Sequence, residues 1–240
     1  MNQILDNFSK EQSSVEVKRF FAKVYLFMFG ALLVSGLIAW QYGTWDFATK
    51  YLFHESPKGY KPNGLFMLLA FVPIGIAWIM QSQVRRLSLP VLVLLFAVYS
   101  IILGFVLSPI FLVYTSSSII GVFFASAGAF GVMAIMGFIT PIDLTKFGSL
   151  LGMAFMGIFI ASIINWFLHS DALGYIIAFI GVFVFTGLTA YYMQKLKEYA
   201  QQAEDDEEQK TKMALIGGFM LYVTFINLFM SLLRLFGSKK

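Results

Sequence analysis

Hydrophobic residues along this chain come in long unbroken blocks separated by short polar stretches. Seven blocks are long enough, at about 1.5 Å per residue, to cross the roughly 30 Å apolar core of a bilayer as helices. They cover residues 20–42, 64–81, 89–114, 118–140, 147–168, 173–193 and 213–236. Within them the apolar character does not alternate; Val91, Leu92, Val93, Leu94 and Leu95 follow one another directly. A membrane strand needs strict alternation, so a transmembrane barrel is excluded. The expected architecture is an all-α membrane protein, a single seven-transmembrane-helix bundle over 20–237. A polar segment, 1–19, precedes it and a short tail, 238–240, follows it. The first apolar block lacks a small-residue cleavage site, so it is read as a retained helix rather than a signal peptide.

Composition agrees with this pattern. Charged residues make up 12% of the chain and hydrophobic ones 59%, and the mean hydropathy is +0.78. A water-soluble domain carries about 25% charged residues. The placement of charge then sets an orientation. With a cytoplasmic N-terminus, eleven of the 17 Lys and Arg fall on the inner side, among them Arg85, Arg86, Lys195 and Lys197. The positive-inside tendency therefore places the N-terminus in the cytoplasm and the C-terminus outside. Pro73 lies inside the second block and Pro109 near the end of the third, so a kink is expected at each. Pro57, Pro62, Pro90 and Pro141 fall near block ends. The run Glu204, Asp205, Asp206, Glu207 and Glu208 reads as a solvated, flexible linker. Gly121, Ala125 and Ala129, and likewise Gly148 and Gly152, have the four-residue spacing that lets membrane helices approach closely.

The chain has no cysteine, so thiolate metal sites and disulfides are ruled out. All 13 acidic residues fall in termini, loops or helix ends; a carboxylate-based proton relay or cation ring has no parts at membrane depth. What remains there is neutral. Gly217, Thr224 and Ser231 recur every seven residues on the seventh block, with Asn227 and Arg234 beside that line. On a helix these positions share a face about 100° wide. A polar stripe on an apolar helix turns toward protein or water, which makes the seventh helix the candidate for a central, enclosed position. The stripe serves either interhelical hydrogen bonding, at about 0.6 kcal/mol per contact, or a permeation path. Ser162 and Asn165 form a smaller polar patch on the fifth block. His169 and Asp171 make a loop pair.

Several segments together resemble the Bax inhibitor family, also called the transmembrane Bax-inhibitor-motif family, and its bacterial branch in particular. They are GFVLSPIFLVY at 104–114, Gly137-Phe138-Ile139-Thr140 with Asp143-Leu144, and Ala161-Ser162-Ile163-Ile164-Asn165. FTGLTAY at 185–191 with Gln194-Lys195-Leu196-Lys197 follows, then Leu221-Tyr222 with Phe225-Ile226-Asn227-Leu228-Phe229. The resemblance implies a bundle in which six helices surround the seventh, in the inner membrane of a bacterium. It also implies a calcium-leak channel gated by pH through paired aspartates on helices 6 and 7. Other members regulate membrane-protein quality control or cell death by binding partners.

The chain departs from the family pattern where that gate would sit. Tyr192 and Thr224 occupy the positions of the two aspartates. Calcium prefers oxygen ligands with charge among them, and these side chains offer neutral oxygen, so any calcium binding is expected to be weak and the pH latch absent. Tyr192 is either an interfacial anchor beside Lys195 and Lys197 or the partner of Thr224 in a hydrogen bond that plugs a pore.

Two functions remain. One is a cation leak lined by Tyr192, Thr224, Asn227, Ser231 and Asn165. The other is a non-conducting regulator that binds other membrane proteins, with the acidic run as a contact. An enzyme is not expected, since the chain has no HExxH, Walker or GxSxG motif and no intramembrane aspartate pair. No cofactor, resident metal or nucleic acid is expected; the partners are lipid and other membrane proteins.

Overall fold

The start signals of the helices are local and readable. Asn63 accepts a hydrogen bond from Phe66 N–H at 2.9 Å, Ser170 accepts one from Leu173 N–H at 3.2 Å, and Asp206 accepts one from Gln209 N–H at 3.0 Å. Each satisfies a backbone donor that the first turn of a helix leaves open. The computed structural model describes residues 2–56, 59–202 and 206–240. Pro57 and Lys58 of the first loop, and Glu204 and Asp205 of the acidic run, lie outside the described residues, as do the side chains of Asp6, Lys10 and Glu11.

Seven long helices result: α1 (Asn2–Tyr42), α2 (Gly64–Ser82), α3 (Leu89–Leu107), α4 (Ser116–Ile139), α5 (Gly148–Leu168), α6 (Asp171–Gln202) and α7 (Glu207–Phe236). All seven spans are long and apolar enough to cross a membrane. Hydroxyls inside them bond to their own helix four residues back, as Ser35 does to Ala31, Ser100 to Phe96, Ser126 to Val122 and Thr189 to Phe185. No water reaches such depths, so each hydroxyl proton must find a carbonyl nearby.

The structure corrects several boundaries. Helix α1 runs back to Asn2 through the polar segment, and α6 continues to Gln202. The described part of the acidic run, Asp206, Glu207 and Glu208, is therefore helix start rather than flexible linker. Asp206 caps α7, and Glu207 and Glu208 lie in its first turn, where negative charge meets the positive end of the helix dipole. Pro73 is buried within a continuous α2. At Pro109 the expected kink is a full break: α3 stops at Leu107, and a separate turn, Ile110–Val113, follows. The loop after α1 carries a hairpin of β1 (Phe53–Ser56) and β2 (Gly59–Pro62) with Phe53 opposite Pro62.

Two compact units divide the chain. The first holds most of α4, all of α5 and α6, and the C-terminal part of α7. Its closest approach is between α4 and α6, where a methyl group built on Gly137 would sit 2.2 Å from the carbonyl oxygen of Ala190. The second unit holds most of α1, then α2, α3 and the N-terminal part of α7. Gly104 on α3 packs against Ile38 on α1, and Gly218 on α7 against the Val24 carbonyl. The four-spaced small residues are used less than expected. Ala125 is exposed, nothing lies within 4 Å of a methyl built on Gly121 or Gly152, and only Gly148 packs tightly, against the Tyr191 ring.

Candidate functional site

Helix α7 carries most of the candidate residues, and it is the most buried span. Of its apolar window 67% is buried, against 39% at most for any other span. One half of its circumference is closed: Phe219, Leu221, Tyr222, Phe225, Leu228 and Leu233 each keep at most 3% of their surface exposed, while Met220, Val223, Asn227 and Met230 on the other half are half-buried.

Its polar stripe lies within that buried surface, since Gly217, Thr224 and Ser231 are all buried. The polar groups themselves turn back onto the helix. Thr224 Oγ1 donates to the Met220 carbonyl at 2.8 Å, and Asn227 Nδ2 donates to the Val223 carbonyl at 2.8 Å. Ser231 lies against α6, its Oγ 2.6 Å from where a methyl on Gly181 would be, and the Arg234 guanidinium lies over Gly174 in the same way. Phe225 and Phe229 meet α4 through edge contacts with Phe123 at 5.5 and 6.1 Å. Within this unit the C-terminal half of α7 thus touches both α4 and α6.

Tyr192 is half-buried on α6, its ring 5.3 Å from that of Tyr191. Among the described residues no hydrogen bond joins it to Thr224. Its neighbour Tyr191 has the anchor geometry, with Lys195 Nζ 3.5 Å from the phenol oxygen and 5.7 Å from the ring centroid.

Asn165 does not share a polar patch with Ser162. Ser162 is exposed and bonds to Ile158 of its own helix. Asn165 is buried and closes the turn between α5 and α6: its carbonyl accepts His169 N–H at 2.8 Å, and its Oδ1 accepts Ser170 N–H at 3.2 Å. His169 takes a left-handed conformation there, φ 52°, and its Nδ1 lies 3.0 Å from the Phe167 carbonyl. Among the described residues, no three His, Asp or Glu side chains converge on a point that could hold a metal ion.

Two residues at the opposite end of α6, named above only for charge placement and for the family resemblance, tie the elements together. Gln194 is buried and bridges the loop between α4 and α5, donating to the Ile142 carbonyl at 2.8 Å and accepting from Leu144 N–H at 2.7 Å. Lys197 donates to the Phe138 carbonyl at 2.8 Å and sits 5.0 Å from that ring's centroid, a cation at the negative end of α4. A buried Gln just beyond an apolar block is the one sequence signal that could have marked the first. In the same loop Asp143 is bonded by the hydroxyl of Thr145. That bond, with help from Thr145 N–H and Lys146 and against an opposing desolvation, holds its carboxyl below the usual carboxylate range.

Seven apolar helices, their inner hydroxyls closed on their own backbones and the last span the most buried, define a multi-pass α-helical membrane protein. The family model described as "Inhibitor of apoptosis-promoting Bax1" matches residues 17–240. The chain is 36% identical to "Inner membrane protein YbhL" of Escherichia coli, over 98% of this chain and 100% of that protein. It is 35% identical to uncharacterised proteins of Borreliella burgdorferi, over 97% of each chain, and of Rickettsia prowazekii, over 93% of this chain and 91% of that one. The chain belongs to the Bax inhibitor family.

Proposed function

We propose that this chain is a non-conducting member of the family, set in a bacterial inner membrane with its N-terminus in the cytoplasm and its C-terminus outside, and that it regulates other membrane proteins by contact. One observation carries the reading: the polar side chains on and beside the buried stripe, Thr224, Asn227 and Ser231, are neutral, and Thr224 and Asn227 are tied by their donors to carbonyls of their own helix. A permeating cation exchanges its water shell for oxygens that face it, and charge among them strengthens the hold; Thr224 Oγ1 and Asn227 Oδ1 keep only neutral lone pairs. Nor do Tyr192 and Thr224 bring charge to the positions where the family has aspartates. The name of the E. coli relative supports the inner membrane, and the family's description, which speaks of inhibiting another protein, supports action by contact. The Lys and Arg distribution supports the orientation. No catalytic step and no cofactor belong to this reading.

The test is calcium flux into dye-loaded liposomes containing the purified protein. Flux no greater than that of empty liposomes, at mildly acidic and mildly alkaline pH alike, is the expected result; a clear leak at either overturns it. Crosslinking in cells should recover a reproducible membrane-protein partner, and recovery of none in several detergents counts against regulation by contact.

A cation leak is the second reading, and the burial of Gly217, Thr224 and Ser231 on one stripe favours it. Under that reading Tyr192, Thr224, Asn227, Ser231 and Asn165 line the path. The same liposome measurement separates the two.

A further inference from the structure

The connection between α1 and α2, residues 43–63, is rich in aromatic residues for a segment outside the spans, and its described residues are structured. A helical turn, Trp45–Phe47, is continued by a π-helical turn, Ala48–Leu52, and then by the β1–β2 hairpin. Its base is locked. Asn63 Nδ2 donates to the Tyr51 carbonyl at 2.7 Å, Asn63 N–H donates to the Leu52 carbonyl at 2.9 Å, and Asn63 Oδ1 caps α2.

Its inner side is locked as well. The Phe47 ring lies 4.7 Å from Tyr42 on α1, 5.8 Å from Phe105 on α3 and 5.1 Å from Tyr51, while Ala48 and Leu52 are buried. The segment is therefore held in place, and what it leaves outside is held out.

What it leaves outside is not what water would select. Trp45 keeps 56% of its surface exposed, Tyr60 49% and Tyr51 42%. The Trp45 and Tyr60 rings are paired at 5.6 Å, and Lys50 sits 5.2 Å from the Tyr51 centroid. The pairing brings the helical turn and β2 together into one aromatic surface. That surface follows directly on the outward stripe of α1, where Leu33, Leu37 and Trp40 are exposed at the four- and three-residue steps of one helix face. In a seven-span membrane protein that stripe faces lipid, and the chain leaves the spans at Tyr42 and re-enters at Gly64. Rings with an apolar body and a polar edge, flanked by lysine, are the chemistry of the headgroup zone.

We infer that the Trp45, Tyr51 and Tyr60 surface of the α1–α2 connection is a membrane-interface anchor that lies in the lipid headgroup layer rather than projecting into water. The occupant is lipid. Asp46 and Glu55 balance Lys50 and Lys61 among the described side chains, so the anchor does not require anionic lipid.

The test uses the protein in liposomes of zwitterionic lipid. In the variant W40F/W78F/W166F, Trp45 is the sole tryptophan of the four. Its emission should be blue-shifted from that of free tryptophan and lost most strongly to a nitroxide placed at headgroup level. It should lose less to a nitroxide at the bilayer centre or to aqueous iodide. Strong loss to iodide with little loss to any lipid nitroxide overturns the inference.

The chain lacks cysteine, so Tyr60→Cys carrying a spin label gives a second reading if the tryptophan variant does not fold. The ratio of collisions with oxygen to those with a water-soluble nickel chelate should exceed that of a label in bulk water. A bulk-water ratio overturns the anchor, and so does protection from both, which would mean that a protein covers the surface.

Discussion

Gln194 and Leu144, fifty residues apart in the chain, are joined by a 2.7 Å hydrogen bond from the Leu144 N–H to Gln194 Oε1. The same amide donates to the Ile142 carbonyl, so one side chain of α6 satisfies both a donor and an acceptor of the loop between α4 and α5. Removing it leaves two backbone groups without their partner, at about 1–3 kcal/mol for a buried one. Gln194→Ala should lower the thermal midpoint in detergent while Gln202→Ala, at the exposed far end of α6, leaves it unchanged. Equal midpoints for both variants would show that the clamp contributes nothing.

Glycine positions give the next expectation. The backbones of α4 and α6 meet at Gly137, where an added methyl would fall 2.2 Å from the Ala190 carbonyl oxygen. Gly137→Ala forces helices apart, and overpacking of this kind costs about 1–3 kcal/mol. Gly152→Ala meets nothing within 4 Å and removes a flexible residue from a helix, worth about 0.5–1 kcal/mol in the other direction. The two variants should therefore shift the unfolding midpoint in opposite directions. A Gly137→Ala protein as stable as its parent would contradict the packing.

These glycines also show where the sequence speaks and where it does not. Seven spans are written in block length and apolarity, because lipid demands both. Which face of a helix meets a neighbour is not, because lipid and protein interiors are equally apolar. Hence the four-residue spacing that marked Gly148, which packs tightly, also marked Gly121 and Gly152, which stand open, while Gly137, with no small residue four positions before it, makes the close approach of α4 to α6. Helix length outside the bilayer was hidden for a related reason. Glu207, Glu208, Lys210 and Lys212 read as loop by polarity, yet they belong to α7 and pair along it and with Lys23. The stripe of Gly217, Thr224 and Ser231 was legible from period alone; the direction of its hydrogen bonds was not, since a hydroxyl four residues after a carbonyl can always turn inward.

Asp143 supplies a pH dependence. The Thr145 hydroxyl holds its carboxyl below the usual range, so in that range the unfolded chain binds more protons than the folded one, and stability rises with pH. The contribution is fully present above the ordinary carboxylate value and is lost as pH falls through the folded group's lowered one. Asp143→Asn should then be less stable than the parent at neutral pH, and the gap should close in acid. Thermal melts across that range check it; a gap that widens toward acid contradicts the sign.

The last expectation concerns Tyr192 and Thr224, which the family resemblance sets at the positions of the paired aspartates. A calcium path needs charged oxygen to hold the ion, and a shared proton between two carboxylates makes such a path respond to pH. The parent has neither, since a phenol stays protonated through the neutral range and a threonine hydroxyl does not titrate. Tyr192→Asp combined with Thr224→Asp restores both properties at once. The double variant in liposomes should pass calcium in a pH-dependent manner, while the parent stays at the level of empty liposomes. Either single variant gives one carboxylate without its mate and should show weaker pH dependence. If the double variant stays silent although it is folded by circular dichroism, these two positions do not form the latch, and the neutrality of α6 and α7 is not what keeps the parent closed.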